Sequence, residues 1–210
     1  KCAWTITFLT RIWRTPAATM VALSTMPYSQ IANVPDGTAQ ILPIEPRRLA
    51  LSLELSRAGA EDFSPMEWEV KHFEVANRLR NESTEFRTAA HALHAGQYLR
   101  DHALTLISLW GALEALFSPS TQELKFRVSS LIAAYLCDPG KERLDKQKHI
   151  AALYDKRSAA AHGRPKHAQK DLIATFELVL NVLQRMIENG SVPTRKHLEE
   201  RLFGIGDSTP

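Results

Sequence analysis

One periodicity limits what this chain can fold into. In LRDHALTLISLWGALEALF (residues 99–117), apolar side chains fall at Leu106, Leu109, Trp110, Leu113, Leu116 and Phe117. This i, i+3, i+4, i+7 spacing buries one continuous face of an α-helix. The pattern returns in QELKFRVSSLIAAYL through Leu124, Val128, Leu131, Ile132 and Leu136, and from about Gln169 to Glu188 through Leu172, Phe176, Val179, Leu180, Leu183 and Ile187. SPST and CDPG interrupt the runs, and a further helix is predicted over residues 142–162. Upstream, SPMEWEVKHFEVANRLRN supplies Ser64 as N-cap, Pro65 at the first helical position and Glu67 three residues after the cap. A second helix is predicted from Ser83 or Thr84, bent or broken at Gly96. Short connections between amphipathic helices of this length favour an antiparallel bundle, so the fold class is mainly α.

The first 63 residues read differently. Pro16, Pro27, Pro35, Pro43 and Pro46 punctuate them, and β-leaning runs (CAWTITFL, TMVAL) are separated by VPDGT and LPIEP. We expect a small, irregular, partly stranded accessory region over 1–63 and the helical bundle over 64–210. At 210 residues and 44% hydrophobic content, the chain can bury a substantial core.

Charge and cysteines narrow the functional classes. The net charge is only +3, but residues 141–171 hold nine Lys or Arg against four acids, so the basic excess is local. Cys2 and Cys137 stand far apart with no metal-ligand spacing, which suits a reducing cytoplasm. The uncharged stretch over residues 15–35 is broken by Pro16, Pro27 and polar residues, and the apolar run over 102–117 is short and contains Glu114. Neither reads as a membrane span, and no signal-peptide pattern is evident. His91, His94 and His102 lack an acid or thiol to complete a metal set, so no metal or other cofactor is assigned. No phosphate-binding loop, nucleophile elbow or paired-carboxylate motif is present. Trp4, Trp13, Trp68 and Trp110 read as core or interface residues.

Three Arg–His pairs share a loose spacing of four to six intervening residues: Arg87 with His94, Arg143 with His149, and Arg157 with His162. The third lies in LYDKRSAAAHGRPK, inside the basic segment. LISLWGALEALFSPSTQELKFRVSSLIAAYL, followed by this motif, resembles the Apea-like branch of the HEPN superfamily. Members carry an LE-containing helix, an R-V/A helix and a Y-D-x-R-S-x-x-x-H-G segment in that order, and the resemblance covers roughly Glu85 to Glu188. It implies a HEPN-type helical bundle and makes Arg157 and His162 the catalytic pair of a metal-independent endoribonuclease. Tyr154, Asp155 and Ser158 are then supporting residues, although many active relatives have Asn or Asp where Ser158 stands. It further implies a symmetric homodimer that joins two motifs in one cleft, single-stranded RNA as substrate, and a prokaryotic defence or toxin context with a possible cognate antitoxin or inhibitor. The alternative is a non-catalytic HEPN module that binds RNA or a protein partner.

The residue types suit RNA cleavage without a metal. A histidine can take the 2′-hydroxyl proton at neutral pH, and an arginine fork can stabilise charge developing on the phosphate. Five positions at ~100° each set Arg157 and His162 roughly 140° apart around an ideal helix and ~7.5 Å apart along it. Gly163 suits the C′ position and Pro165 disfavours helix at Arg164, so His162 is expected at the helix end, where its side chain can turn. Ala159, Ala160 and Ala161 would let a partner helix approach. Glu114, an acid on an apolar helix, needs a partner if buried, and Arg157 is the natural one. Arg127 reads as an ion-pair member. Arg164, Lys166 and His167 are candidate RNA-phosphate contacts.

Overall fold

The computed structural model describes residues 2–45, 66–117, 123–163 and 167–205. Among them the chain forms nine helices and one small sheet: α1 (Cys2–Trp13), β1 (Ala22–Ser24), α2 (Tyr28–Ile31), β2 (Ile41–Pro43), α3 (Glu67–Glu82), α4 (Thr84–Gly96), α5 (His102–Phe117), α6 (Leu124–Leu136), α7 (Lys141–Ala161), α8 (Gln169–Asn189) and α9 (Arg195–Leu202). The fold is mainly helical, as the periodicity requires. The apolar positions read from α5 and α8 all lie in one core.

The centre of the molecule is α5, which packs against α4, α6, α7 and α8. Contact on several sides explains why Leu106, Leu109, Trp110 and Leu113 are wholly buried. Asp101 caps its start, its carboxylate accepting from the backbone amides of Ala103 and Leu104. Gly96 ends α4 where space is tight: a Cβ there would meet Thr105 Cγ2 at 3.0 Å and Phe176 at 3.3 Å. The predicted break at Gly96 is therefore a packing requirement. Lys125 meets Asp155 and Ser129 meets Gln147, so α6 and α7 run antiparallel. Guanidinium groups close the C-terminal end of α6: Arg143 donates to Cys137 O, Arg185 to Leu136 O and Arg201 to Ala134 O. Arg201 belongs to α9, a helix the sequence reading did not anticipate.

The N-terminal region corrects that reading in detail. Cys2–Trp13, read as β-leaning, is a helix whose Phe8, Leu9 and Ile12 enter the common core against α3 and α8. Trp4, Phe8 and Ile12 repeat at i, i+4, i+8. Thr7 and Thr10 donate their hydroxyls back to Ala3 O and Ile6 O, so these β-branched residues are accommodated in a helix. Tertiary packing overrides their strand preference. The strands lie further on, at β1, which overlaps the end of TMVAL, and at β2, partly within a stretch read as a separator. They pair antiparallel with Ala22 opposite Pro43, Leu23 opposite Leu42 and Ser24 opposite Ile41. Helix α3 starts at Glu67 with Met66 as its N-cap residue; the cap expected at Ser64 and Pro65 falls outside the described residues. Helix α4 starts at Thr84, one of the two positions read, and Ser83 is its N-cap, its Oγ accepting from Phe86 N at 3.1 Å. No helix among the described residues is long and apolar enough to cross a membrane.

Candidate active site

Helix α7 carries the motif, and its C-terminal end is built as its sequence dictates. Gly163 adopts a left-handed φ of 68° and donates to Ala160 O, while His162 N donates to Ser158 O. This leaves His162 as the C-cap residue, exposed to solvent. Eight and nine residues earlier the helix faces inward, and Tyr154 and Leu153 are buried against α5.

Arg157 and Glu114 meet as the sequence demands. Arg157 Nη2 donates to Glu114 Oε2 at 3.0 Å, and the two side chains retain 23% and 19% exposure. Tyr154 occupies the other carboxylate oxygen, donating to Oε1 at 2.9 Å. Its ring lies 5.4 Å from the Arg157 guanidinium carbon and meets Trp110 edge-on at 5.1 Å. Burial, and the hydrogen bond to Glu114, push the Tyr154 hydroxyl above its ordinary pKa, so it stays protonated as a donor. The guanidinium is thus held by a carboxylate and a ring, while its Nε is buried without an acceptor among the described residues. The side chain as a whole keeps 23% exposure, so part of the positioned guanidinium other than Nε faces solvent.

Other expected site residues are dispersed. Asp155 turns to α6 and pairs with Lys125 at 2.7 Å, both groups exposed. Ser158 is half-buried beside Arg157. The His162 side chain has no hydrogen-bond partner among the described residues, and nothing there joins it to Arg157. Ala160 is buried in the protein's own core, so Ala161 is the alanine of the three that is fully exposed. His167 is half-buried with its Nδ1 lacking a partner among the described residues. Arg164 and Lys166 lie outside the described residues. Arg127 forms no ion pair among them. The Arg127 Nε is buried without an acceptor among the described residues.

The other two Arg–His spacings separate into structural uses. Arg87 bonds to Arg80 O and Thr84 Oγ1, while His94 contacts Arg11 across the fold. Arg143 holds Cys137 O and Arg201 O, and His149 is exposed. His91 packs its ring against Trp4. The sequence reading missed the role of Trp110 beneath Tyr154. A signal existed: Trp110 and Glu114 are one turn apart on α5, as Tyr154 and Arg157 are on α7, so each helix presents an aromatic and a charge on one face. Comparisons with protein-family models, with curated proteins and with solved structures returned no match.

Proposed function

We propose that this chain is a metal-independent endoribonuclease of HEPN type, with Arg157 stabilising phosphate charge and His162 moving the proton. The observation that carries the reading is the contrast within the motif. Arg157 is fixed by Glu114 and Tyr154 with donor capacity left over, and His162 stands exposed at the helix end five residues on. A fixed cation beside a mobile acid–base group is what cleavage through the 2′-hydroxyl needs. The wide angle between the two residues is met, in this reading, by a second copy of the chain whose motif completes the cleft. Arg164 and Lys166, outside the described residues, and His167 are the phosphate contacts in this reading. A cytoplasmic defence or toxin role, with an inhibitor protein as partner, follows from the same resemblance.

The test is chemical. Purified protein should cleave single-stranded RNA in EDTA and leave 2′,3′-cyclic phosphate ends. Activity that vanishes on chelation and returns with a divalent ion would replace this mechanism by a metal-dependent one. A non-catalytic RNA- or protein-binding module is the second reading. It is favoured by the His162 side chain, which has no hydrogen bond to orient it among the described residues, and by Ser158 in place of Asn or Asp. RNA bound but never cut, under any condition, would select it.

A further inference from the structure

Beside the motif, α6 and α7 enclose a groove of about 350 Å³ lined by Glu123, Leu124, Lys125, Phe126, Gln147 and Ala151. Its rim is unusual, because the Phe126 ring is 62% exposed with no aromatic partner among the described residues. An isolated apolar residue on a surface needs no explanation, but an aromatic ring at the mouth of a groove in a basic region is a different object.

The groove and His162 share one face of α7. At ~100° per residue, Gln147, Ala151, Asp155, Ser158 and His162 fall within about 80° of one another, whereas Arg157 lies on the flank toward α5. The Lys125–Asp155 bond at 2.7 Å ties the start of α6 to this stripe. From Ala151 to His162 is ~16 Å along the helix, a span of a few nucleotides. The segment over residues 141–171 carries nine cations against four acids, which complements a polyanion.

We infer that this groove is a subsite for an unpaired base of single-stranded RNA. The base stacks on Phe126, the amide of Gln147 is within reach of its edge, and the backbone runs along α7 toward His162. The inference rests on the ribonuclease reading and deepens it by assigning a place where an unpaired base is held: duplex RNA cannot present a base face to a ring, whereas stacking on an aromatic is the usual way single strands are held.

Binding measured in a His162→Ala background, by fluorescence anisotropy of a labelled single-stranded RNA oligonucleotide and of its duplex, separates this subsite from catalysis. Phe126→Ala should weaken single-strand binding by about 5- to 150-fold, and Phe126→Trp should retain it. Ala151→Leu, which narrows the groove floor, should reproduce the loss, and duplex binding should not respond to any of the three. Phe126 is exposed, so an unchanged thermal midpoint is expected and confirms that the fold is intact. Unchanged single-strand affinity in Phe126→Ala, in a protein that still cleaves RNA when His162 is present, overturns the subsite and leaves the ribonuclease reading standing. A Phe126→Ala protein that sediments as a monomer where the parent is a dimer also overturns it, making the groove an interface between copies. A parent protein that neither binds nor cuts RNA removes both.

Discussion

The molecule contains two clusters built from nearly the same residue types. One joins Arg11, Glu45, Tyr98 and His94; the other joins Arg157, Glu114 and Tyr154, with His162 five residues from the arginine. In the first, Arg11 and Glu45 retain 2% and 8% exposure; in the second, Arg157 and Glu114 retain 23% and 19%. Saturation differs as well. Arg11 donates from Nε to Ala18 O, contacts His94 through Nη1, and donates from Nη2 to Glu45 and Tyr98, while Glu45 also accepts from Met20 N. It pins α1, the loop after it, the end of the β-hairpin and the end of α4 to one another. Arg157, by contrast, has an Nε with no acceptor among the described residues, and its histidine stands in solvent. A closed network of these groups is a clamp. A partly exposed one leaves its guanidinium within reach of solvent, as the proposed phosphate contact requires.

The largest effect should come from the histidines. His162→Ala is expected to reduce RNA cleavage by about 10²–10⁴-fold while moving stability by less than about 0.5 kcal/mol. His94→Ala should cut at the normal rate per folded molecule. Rates measured on single-stranded RNA, normalised to folded protein by circular dichroism, check both; equal loss in the two variants would erase the distinction between clusters.

The carboxylates should divide the opposite way. Glu45→Ala leaves Arg11 buried and uncompensated, at a cost of about 3–5 kcal/mol. Glu114→Ala loses two hydrogen bonds at a half-exposed site and should cost about 1–3 kcal/mol, but with cleavage largely abolished. Urea unfolding beside the cleavage assay measures the contrast.

Arg157→Lys keeps the charge and loses the fork that spans Glu114 and the substrate phosphate, so a fall of about 10²-fold in cleavage is expected with little change in unfolding midpoint. Near-normal cleavage by this variant would mean that point charge alone suffices.

The smallest effect is on pH dependence. Burial and the neighbouring Arg11 guanidinium lower the His94 pKa, with Glu45 opposing and His91 adding slightly. The unfolded chain, with histidine near about 6.5, therefore binds the proton first on acidification. Stability contributed by neutral His94 is present above that value and lost as pH falls from there through the lower folded pKa. Wild type should thus lose more stability than His94→Asn between neutral pH and about pH 5, as thermal midpoints across that range would reveal.

Much of the fold was legible because it is locally encoded. The apolar spacing of α5 and α8, the start of α4 at Thr84 and the Gly163 stop each depend on residues within a turn or two, and each appears where the sequence puts it. The partnership of Glu114 with Arg157 was legible for another reason: a lone acid on an apolar face has few ways to be satisfied. Arg127, read as an ion-pair member, has no ion pair among the described residues, and its Nε is buried without an acceptor there; which acid lies within reach of a cation is not written in spacing.

What the sequence by itself determined, then, was the run of helices from Glu67 to Asn189 and the need for a counter-ion at Glu114. Tertiary structure alone decided that Cys2–Trp13 is helical, since its strand-prone residues are outweighed by a core contributed from α3 and α8. It also decided which histidine became part of a clamp and which stayed at the surface. Arg11 and His94 are 83 residues apart, and no local rule can anticipate that a distant guanidinium will claim one imidazole and leave the other in solvent.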